Sequence, residues 1–239
     1  MPPIEPLPCF ACTAFSLSAA KEIALAFTAE TGHDAVLSFG STGQLYTQIT
    51  QGAPFEVFLA ADTARPAKAL KEGLGVAGSD FTYAVGRIVL WSADAGLVKG
   101  EETLREAGFD KIAIANPETA PYGTAAVEAM QALGVYDALS GRFVQGNNIA
   151  QTFQMTASGA APAGFVALSQ ILAAPADLRG SHWPVPPEMH APIHQDAVLL
   201  NRGGGNAAAK GFLAFLTSAD GQANIPTTNW MFPVVDLGG

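Results

Sequence analysis

Short apolar runs alternate along this chain with longer stretches whose apolar residues recur at helical spacing. Residues 9–13, 35–39 and 55–60 are apolar runs of strand length. Between them, residues 19–30 carry Ile23, Ala26 and Phe27 on one helical face, a second helix runs through Leu45 and Ile49 to Gln51, and a third covers residues 64–72. Gly32 stops the first helix as a left-handed cap, and Gly52-Ala53-Pro54 breaks the second. The order β-α-β-α-β-α with short connections predicts an α/β fold. Each sheet is mostly parallel and covered by helices, with ligands at the carboxyl ends of the strands.

A second set of elements follows. Residues 81–91 form one β-rich run, long enough to leave one lobe and enter another. Residues 111–115 read as a strand, 116–123 as a loop and 124–133 as a helix. Residues 143–146 are a short strand, and Asn147-Asn148-Ile149 opens a helix ending near Ser158-Gly159. Residues 164–168 are a further strand. Residues 173–195 are proline-rich and aperiodic, which predicts a surface loop. Residues 196–200 return the chain to the first lobe, and 207–217 and 219–224 read as closing helices. The expected division is lobe 1 from residues 1–84 with 196–239, and lobe 2 from residues 85–195, with a ligand cleft between them. No internal repeat or low-complexity segment stands out.

Composition narrows the function. The 239 residues are 49% hydrophobic and only 14% charged, with a net charge of −9, and the acidic balance comes without a basic stripe. This argues against nucleic acid and against anionic membrane surfaces as partners. No apolar run reaches the roughly eighteen residues that would span a bilayer. The start, Met1-Pro2-Pro3-Ile4-Glu5-Pro6, has no basic residue and no long apolar core, so it does not read as a signal peptide. Either a cytoplasmic protein or a chain beginning near its mature start with an added Met1 fits that observation.

Several residues invite chemistry and are better explained otherwise. Cys9 and Cys12 sit in an apolar run that reads as a strand, where three steps separate their Cα atoms by roughly 10 Å, beyond disulfide reach. They read as buried structural thiols, with redox chemistry the minor alternative. His182, His190, His194 and Asp196 lie close in sequence, but Pro192 breaks any helical His register, so surface or packing roles are expected. Asp62 reads as the cap of the third helix, since no His or second carboxylate accompanies it. Ser41 lies in Gly-Ser-Thr-Gly, which lacks the Gly-x-Ser-x-Gly nucleophile elbow. Trp91, Trp183 and Trp230 read as packing residues.

The strand–helix junctions share a feature. Thr13/Ser16, Gly40-Ser41-Thr42, Tyr122-Gly123-Thr124 and Asn147-Asn148-Ile149 each put small or amide-bearing residues where a helix begins, and none contains Lys, Arg, Asp or Glu. Helix starts present free N–H donors and partial positive charge, which suits an anion. A fully ionised tetrahedral dianion can only accept hydrogen bonds, so neutral donors fit it and a carboxylate in the site would repel it. The local field then comes from dipoles, and the acidic net charge costs encounter rate more than affinity.

On these residues the chain resembles the periplasmic molybdate-binding proteins of ABC importers, two-lobed type II periplasmic-binding folds. The matching stretches run in order through most of the chain: Thr31-Gly32-His33, Ser38-Phe39-Gly40-Ser41-Thr42-Gly43, Gln51-Gly52-Ala53-Pro54 with Val57-Phe58-Leu59-Ala60-Ala61-Asp62, Asn116-Pro117-Glu118 with Ala120-Pro121-Tyr122-Gly123, and Gly164-Phe165-Val166-Ala167. The segment from Gln51 to Asp62 is the most specific. The resemblance implies molybdate or tungstate held between two lobes without catalysis, and with no cofactor. The metal is held as its oxyanion rather than by side-chain coordination. The partner implied is an ABC importer permease, and the location the periplasm. A monomer without membrane insertion is expected. Carried over residue by residue, the oxyanion contacts fall at Thr13, Ala14 and Ser16, at Ser41 with Thr42, at Tyr122, and at Asn148 and Ile149. Ala14 departs from the family's Ser or Asn, with one residue inserted near Ser16, so a backbone N–H would serve there. A family Tyr in the strand from Gly164 is here Ala167. The alternatives are a binding protein for another oxyanion, such as sulfate or a phosphonate, and a hydrolase or transferase on the same fold.

Overall fold

The computed structural model describes residues 9–12, 17–176 and 179–218; Thr13, Ala14, Ser16, Trp230 and the expected helix at 219–224 lie outside them. In chain order the elements are β1 (Cys9–Cys12), α1 (Leu17–Thr31), β2 (Val36–Phe39), α2 (Thr42–Thr50), β3 (Val57–Leu59), α3 (Ala64–Lys71) and β4 (Phe81–Gly86). Then follow β5 (Ile88–Ser92), α4 (Glu102–Glu106), β6 (Ile112–Ala115), α5 (Pro121–Ala132), α6 (Tyr136–Leu139), β7 (Phe143–Gly146), α7 (Ile149–Ala157), β8 (Ala163–Ala167), α8 (Leu168–Ala173) and β9 (Ser181–Pro184). The last described elements are β10 (Ile193–Leu199) and α9 (Ala207–Thr217). The chain divides into two compact units, leaving the first after Val85 and returning to it at His194.

The first unit holds a five-stranded sheet in the order β2-β1-β3-β10-β4. β1 pairs parallel with both β2 and β3, and β10 adds antiparallel to β3. Because β1, β2 and β3 run the same way, α1, α2 and α3 all follow from one edge of the sheet, the edge of strand carboxyl ends. Gly32 has φ +74, the left-handed conformation that lets the chain turn off α1. The helical spacing in α1 buries Ile23 and Phe27, while Ala26 is half-buried. The Phe27 ring meets Phe212 of α9 edge-on, centroids 5.2 Å apart. On α2, Leu45 and Ile49 pack with Phe55, Phe58 and Val198 to form a core cluster of this unit.

The second unit repeats the plan with the order β7-β6-β8-β5-β9. β6 pairs parallel with β7 and β8, while β5 pairs antiparallel with β8 and β9. All five β5 residues are buried. Trp91 stacks on Phe153 with centroids 4.7 Å apart, and its Nε1 donates to the Arg179 carbonyl at 2.8 Å, so it is a packing residue.

Two expectations are corrected. The single strand at 81–91 is broken at Arg87: β4 belongs to the sheet of the first unit and β5 to that of the second. A continuous apolar pattern does not show the residue at which pairing passes from one sheet to the other. The loop at 173–195 contains β9, whose Trp183 and His182 pair with Leu90 and Trp91 on the sheet's edge. Pro184 closes that strand, a place where a missing N–H costs no interior ladder bond. His182 therefore stands on β9 and His194 on β10, in separate sheets, and no metal-binding group of three His, Cys, Asp or Glu occurs among the described residues.

Candidate anion-binding helix starts

In the first unit the junction between β2 and α2 places Ser41 as N-cap, with extended backbone and only 2% exposure. Its Oγ accepts from the Gln44 N–H at 3.4 Å, and its own N–H donates to Gln44 Oε1 at 3.2 Å, a reciprocal capping box. A hydroxyl that accepts still has its proton to give, so Ser41 can cap the helix and donate to an anion at once. Thr42, fully buried, does different work: its Oγ1 accepts from the Ala61 N–H at 3.1 Å, tying the α2 start to the exit of β3. Ala60, beside it, donates its N–H to the Asp196 carbonyl of β10 at 2.8 Å. Asp62 caps α3 as expected, accepting from the Arg65 N–H at 2.8 Å; Thr63, the formal N-cap, makes no side-chain cap bond. The Asp62 carboxylate also pairs with the Arg65 guanidinium, so its charge at this edge is offset.

In the second unit α5 and α7 leave adjacent parallel strands, β6 and β7, at their carboxyl ends. α5 begins at Pro121, not Thr124 as the loop reading placed it, which puts Tyr122 inside the first turn and 3% exposed. Proline at the first helical position has no N–H to lose and a backbone angle already suited to the helix. The turn before it is built by Asn116, whose Oδ1 accepts from the Glu118 N–H at 2.9 Å and whose carbonyl accepts from Ala120 at 2.8 Å. Gly123 lets α5 lie directly on the strand end: a Cβ there would stand 2.2 Å from the Ala115 carbonyl oxygen.

Asn148 is the N-cap of α7, its Oδ1 accepting from the Gln151 N–H at 2.9 Å, while the Asn147 N–H donates to Gln151 Oε1 at 2.6 Å. Ile149 is the first helical residue and is buried. Its carbonyl accepts from Gln170 Nε2 at 3.2 Å; Gln170, 5% exposed, in turn accepts the Ala167 N–H at 3.0 Å. One buried amide thus fixes the α7 start against the end of β8.

Of the residues expected to form the site, Ser41 and Thr42 lie together at the α2 start, and Tyr122, Asn148 and Ile149 lie at the starts of α5 and α7. Thr13, Ala14 and Ser16 lie outside the described residues. Residue-type reasoning passed over Gln44, Gln151 and Gln170, each three residues after an N-cap. The Ser-x-x-Gln spacing at 41–44 is a readable signal for the first; the second follows an Asn cap and the third an Ala cap, which has no capping side chain to announce it.

Residues 12–225 match the family described as bacterial extracellular solute-binding protein. The chain is 52% identical over 201 residues to the molybdate-binding protein ModA of Rhodobacter capsulatus, covering 84% of this chain and 79% of that one. It is 50% identical over 197 residues to ModA of Azotobacter vinelandii, covering 82% and 78%. Its structure is similar to that of the periplasmic molybdate-binding protein of Azotobacter vinelandii, with TM-score 0.90 and 40% identity over 95% of this chain and 100% of that one.

Proposed function

The chain belongs to the family of bacterial extracellular solute-binding proteins, and from that membership we infer that it captures molybdate for an ABC importer. It is a solute-binding protein of a transporter and not an enzyme, like its close relatives. Molybdate is the ligand, and no cofactor is needed. The observation that carries the reading is a matched pair of helix starts, α2 in one unit and α7 in the other, each at the carboxyl edge of a parallel strand set and capped by a hydroxyl or an amide; the one carboxylate cap described at that edge, Asp62 of α3, is paired with Arg65.

We propose further that the two units act as lobes that close on the oxyanion. Ser41 donates its hydroxyl proton, and the first-turn N–H groups of α2, α5 and α7 point at the ligand oxygens, with Tyr122 and Ile149 shaping the walls. Thr42 holds the α2 start in place. The turn at Thr13, Ala14 and Ser16 supplies the remaining donors. Tungstate, nearly the same size, binds as well; sulfate is too small to meet donors from both lobes at once. The closed, monomeric protein works in the periplasm and docks on a permease. Calorimetry with molybdate, tungstate, sulfate and phosphate tests this: heat of binding is expected with the first two. Binding of sulfate or phosphate alone would refute it.

A further inference from the structure

We propose that Tyr83 is a positioning residue for the anion: from β4 it holds the peptide plane that seats the start of α2, and so sets the direction of the Ser41 hydroxyl. The inference rests on the oxyanion reading above and adds a residue that acts from behind the site. Tyr83 is buried, and its phenol donates to the Ala60 carbonyl at 3.1 Å and to Gln195 Oε1, on β10, at 3.1 Å. In the sheet β10 lies between β4 and β3, so the phenol reaches across one strand to the exit of the next. The carbonyl of Ala60 and the N–H of Ala61 belong to one planar peptide group. The carbonyl accepts from Tyr83, and the N–H donates to Thr42 Oγ1 at 3.1 Å. Thr42 is the first residue of α2 and follows the Ser41 cap. One rigid plane is thus gripped at one end from β4 and at the other by the helix start. The Ala60 N–H, donating to the Asp196 carbonyl at 2.8 Å, fixes the same residue to β10.

Packing alone does not account for the phenol. A phenylalanine ring fills nearly the same space, and a buried hydroxyl is costly unless it is bonded. Ala60 is fully buried, so a carbonyl that loses the phenol gains by turning toward another donor. The plane cannot turn without carrying the Ala61 N–H off Thr42. A donor on the carbonyl also strengthens the N–H of the same peptide. The hydrogen bond from Ser41 to an anion is directional, so a helix start free to drift holds the ligand less well.

The test is a cycle of Tyr83→Phe, Thr42→Val and the two combined, read by calorimetry with sodium molybdate and by melting of the ligand-free proteins. Thr82→Val is the control: Thr82 is the neighbouring hydroxyl on β4, and it donates to Asp196 Oδ1 at 2.6 Å rather than to the Ala60–Ala61 peptide. Tyr83→Phe and Thr42→Val are each expected to raise the dissociation constant about tenfold. The combined variant is expected to lose little more than either alone, because both changes release one plane. Thr82→Val is expected to melt lower and to bind within about threefold of wild type. A Tyr83→Phe protein that melts lower but binds within about threefold of wild type makes the phenol a purely structural bond and overturns the proposal. So does a combined variant whose two losses multiply to about a hundredfold, or a Thr82→Val protein that binds as weakly as Tyr83→Phe. These outcomes leave the oxyanion reading standing. A wild-type protein that gives no heat with molybdate defeats that reading itself, and this inference with it.

Discussion

The starts of α2 and α7 solve one problem with different chemistry. α2 is capped by a serine hydroxyl, 2% exposed, and braced by a second hydroxyl, Thr42, on the neighbouring strand exit. α7 is capped by an asparagine amide, half-buried, and braced from behind by a buried glutamine that holds the Ile149 carbonyl. A hydroxyl cap accepts from the helix and donates outward through the same oxygen. An amide cap divides the work: its oxygen accepts from the helix and its –NH2 can donate outward. In the proposed site each unit thus offers a cap side chain as donor, a buried hydroxyl in the first and a half-buried amide in the second, and deleting the buried one should hurt more.

The largest expected effect bears on the packing that seats a helix start of the second unit. Gly123→Ala drives a Cβ into the Ala115 carbonyl oxygen and should cost about 3 kcal/mol of stability, read by denaturant unfolding; a cost below about 1 kcal/mol would mean that α5 is free to shift off the strand end. Next, Ser41→Ala should weaken molybdate binding by about 2 kcal/mol, since it removes a donor to a charged group. It should also lower stability by about 1 kcal/mol through loss of the cap. Calorimetry showing an unchanged dissociation constant would remove Ser41 from the site. Asn148→Ala should lose about 1 kcal/mol of stability but only a fewfold in affinity. If it weakens binding more than Ser41→Ala does, the contrast between a buried hydroxyl and a half-buried amide donor is wrong.

The smallest effect is a pH dependence in the first unit. Asp196 is pushed above its ordinary value of 3.8 by burial, with Asp80 and Asp62 adding to the rise; the Thr82 hydroxyl, donating at 2.6 Å, and His194 oppose it. The neutral carboxyl is thus the form the fold prefers. Its contribution is present below pH 3.8 and is lost as pH rises through the raised value. Asp196→Asn keeps an acceptor for Thr82 and removes the charge. It should melt higher than wild type at neutral pH, with the difference vanishing in acid; a lower melting point at pH 7 would reverse the sign.

Much of this was legible in the residues. The βα alternation was readable because each apolar run was short and each helix had a face, and α9 falls on residues 207–217 as its periodicity predicts. Ser41 and Asn148 were readable as caps from residue type and position alone. The position of the break at Arg87 was not, because periodicity reports burial and not the residue at which one sheet's pairing gives way to the other's. β9 was hidden by its prolines: an edge strand of four residues needs little regularity. The early start of α5 has a signal in Pro121, whose backbone angle suits a first helical turn as well as a loop. Gln170 had none, since its partners are the Ala167 N–H and a carbonyl 21 residues away, contacts that exist only after the sheet has formed.

The proposed capture of one dianion by uncharged donors of α2 and α7 is tested most directly by crystals of the molybdate-loaded protein measured at the molybdenum absorption edge. A single anomalous peak is predicted, its oxygens within about 3 Å of the Ser41 hydroxyl and of first-turn N–H groups of α7. A peak seated on lysine or arginine side chains, or touching donors of one unit alone, would contradict it.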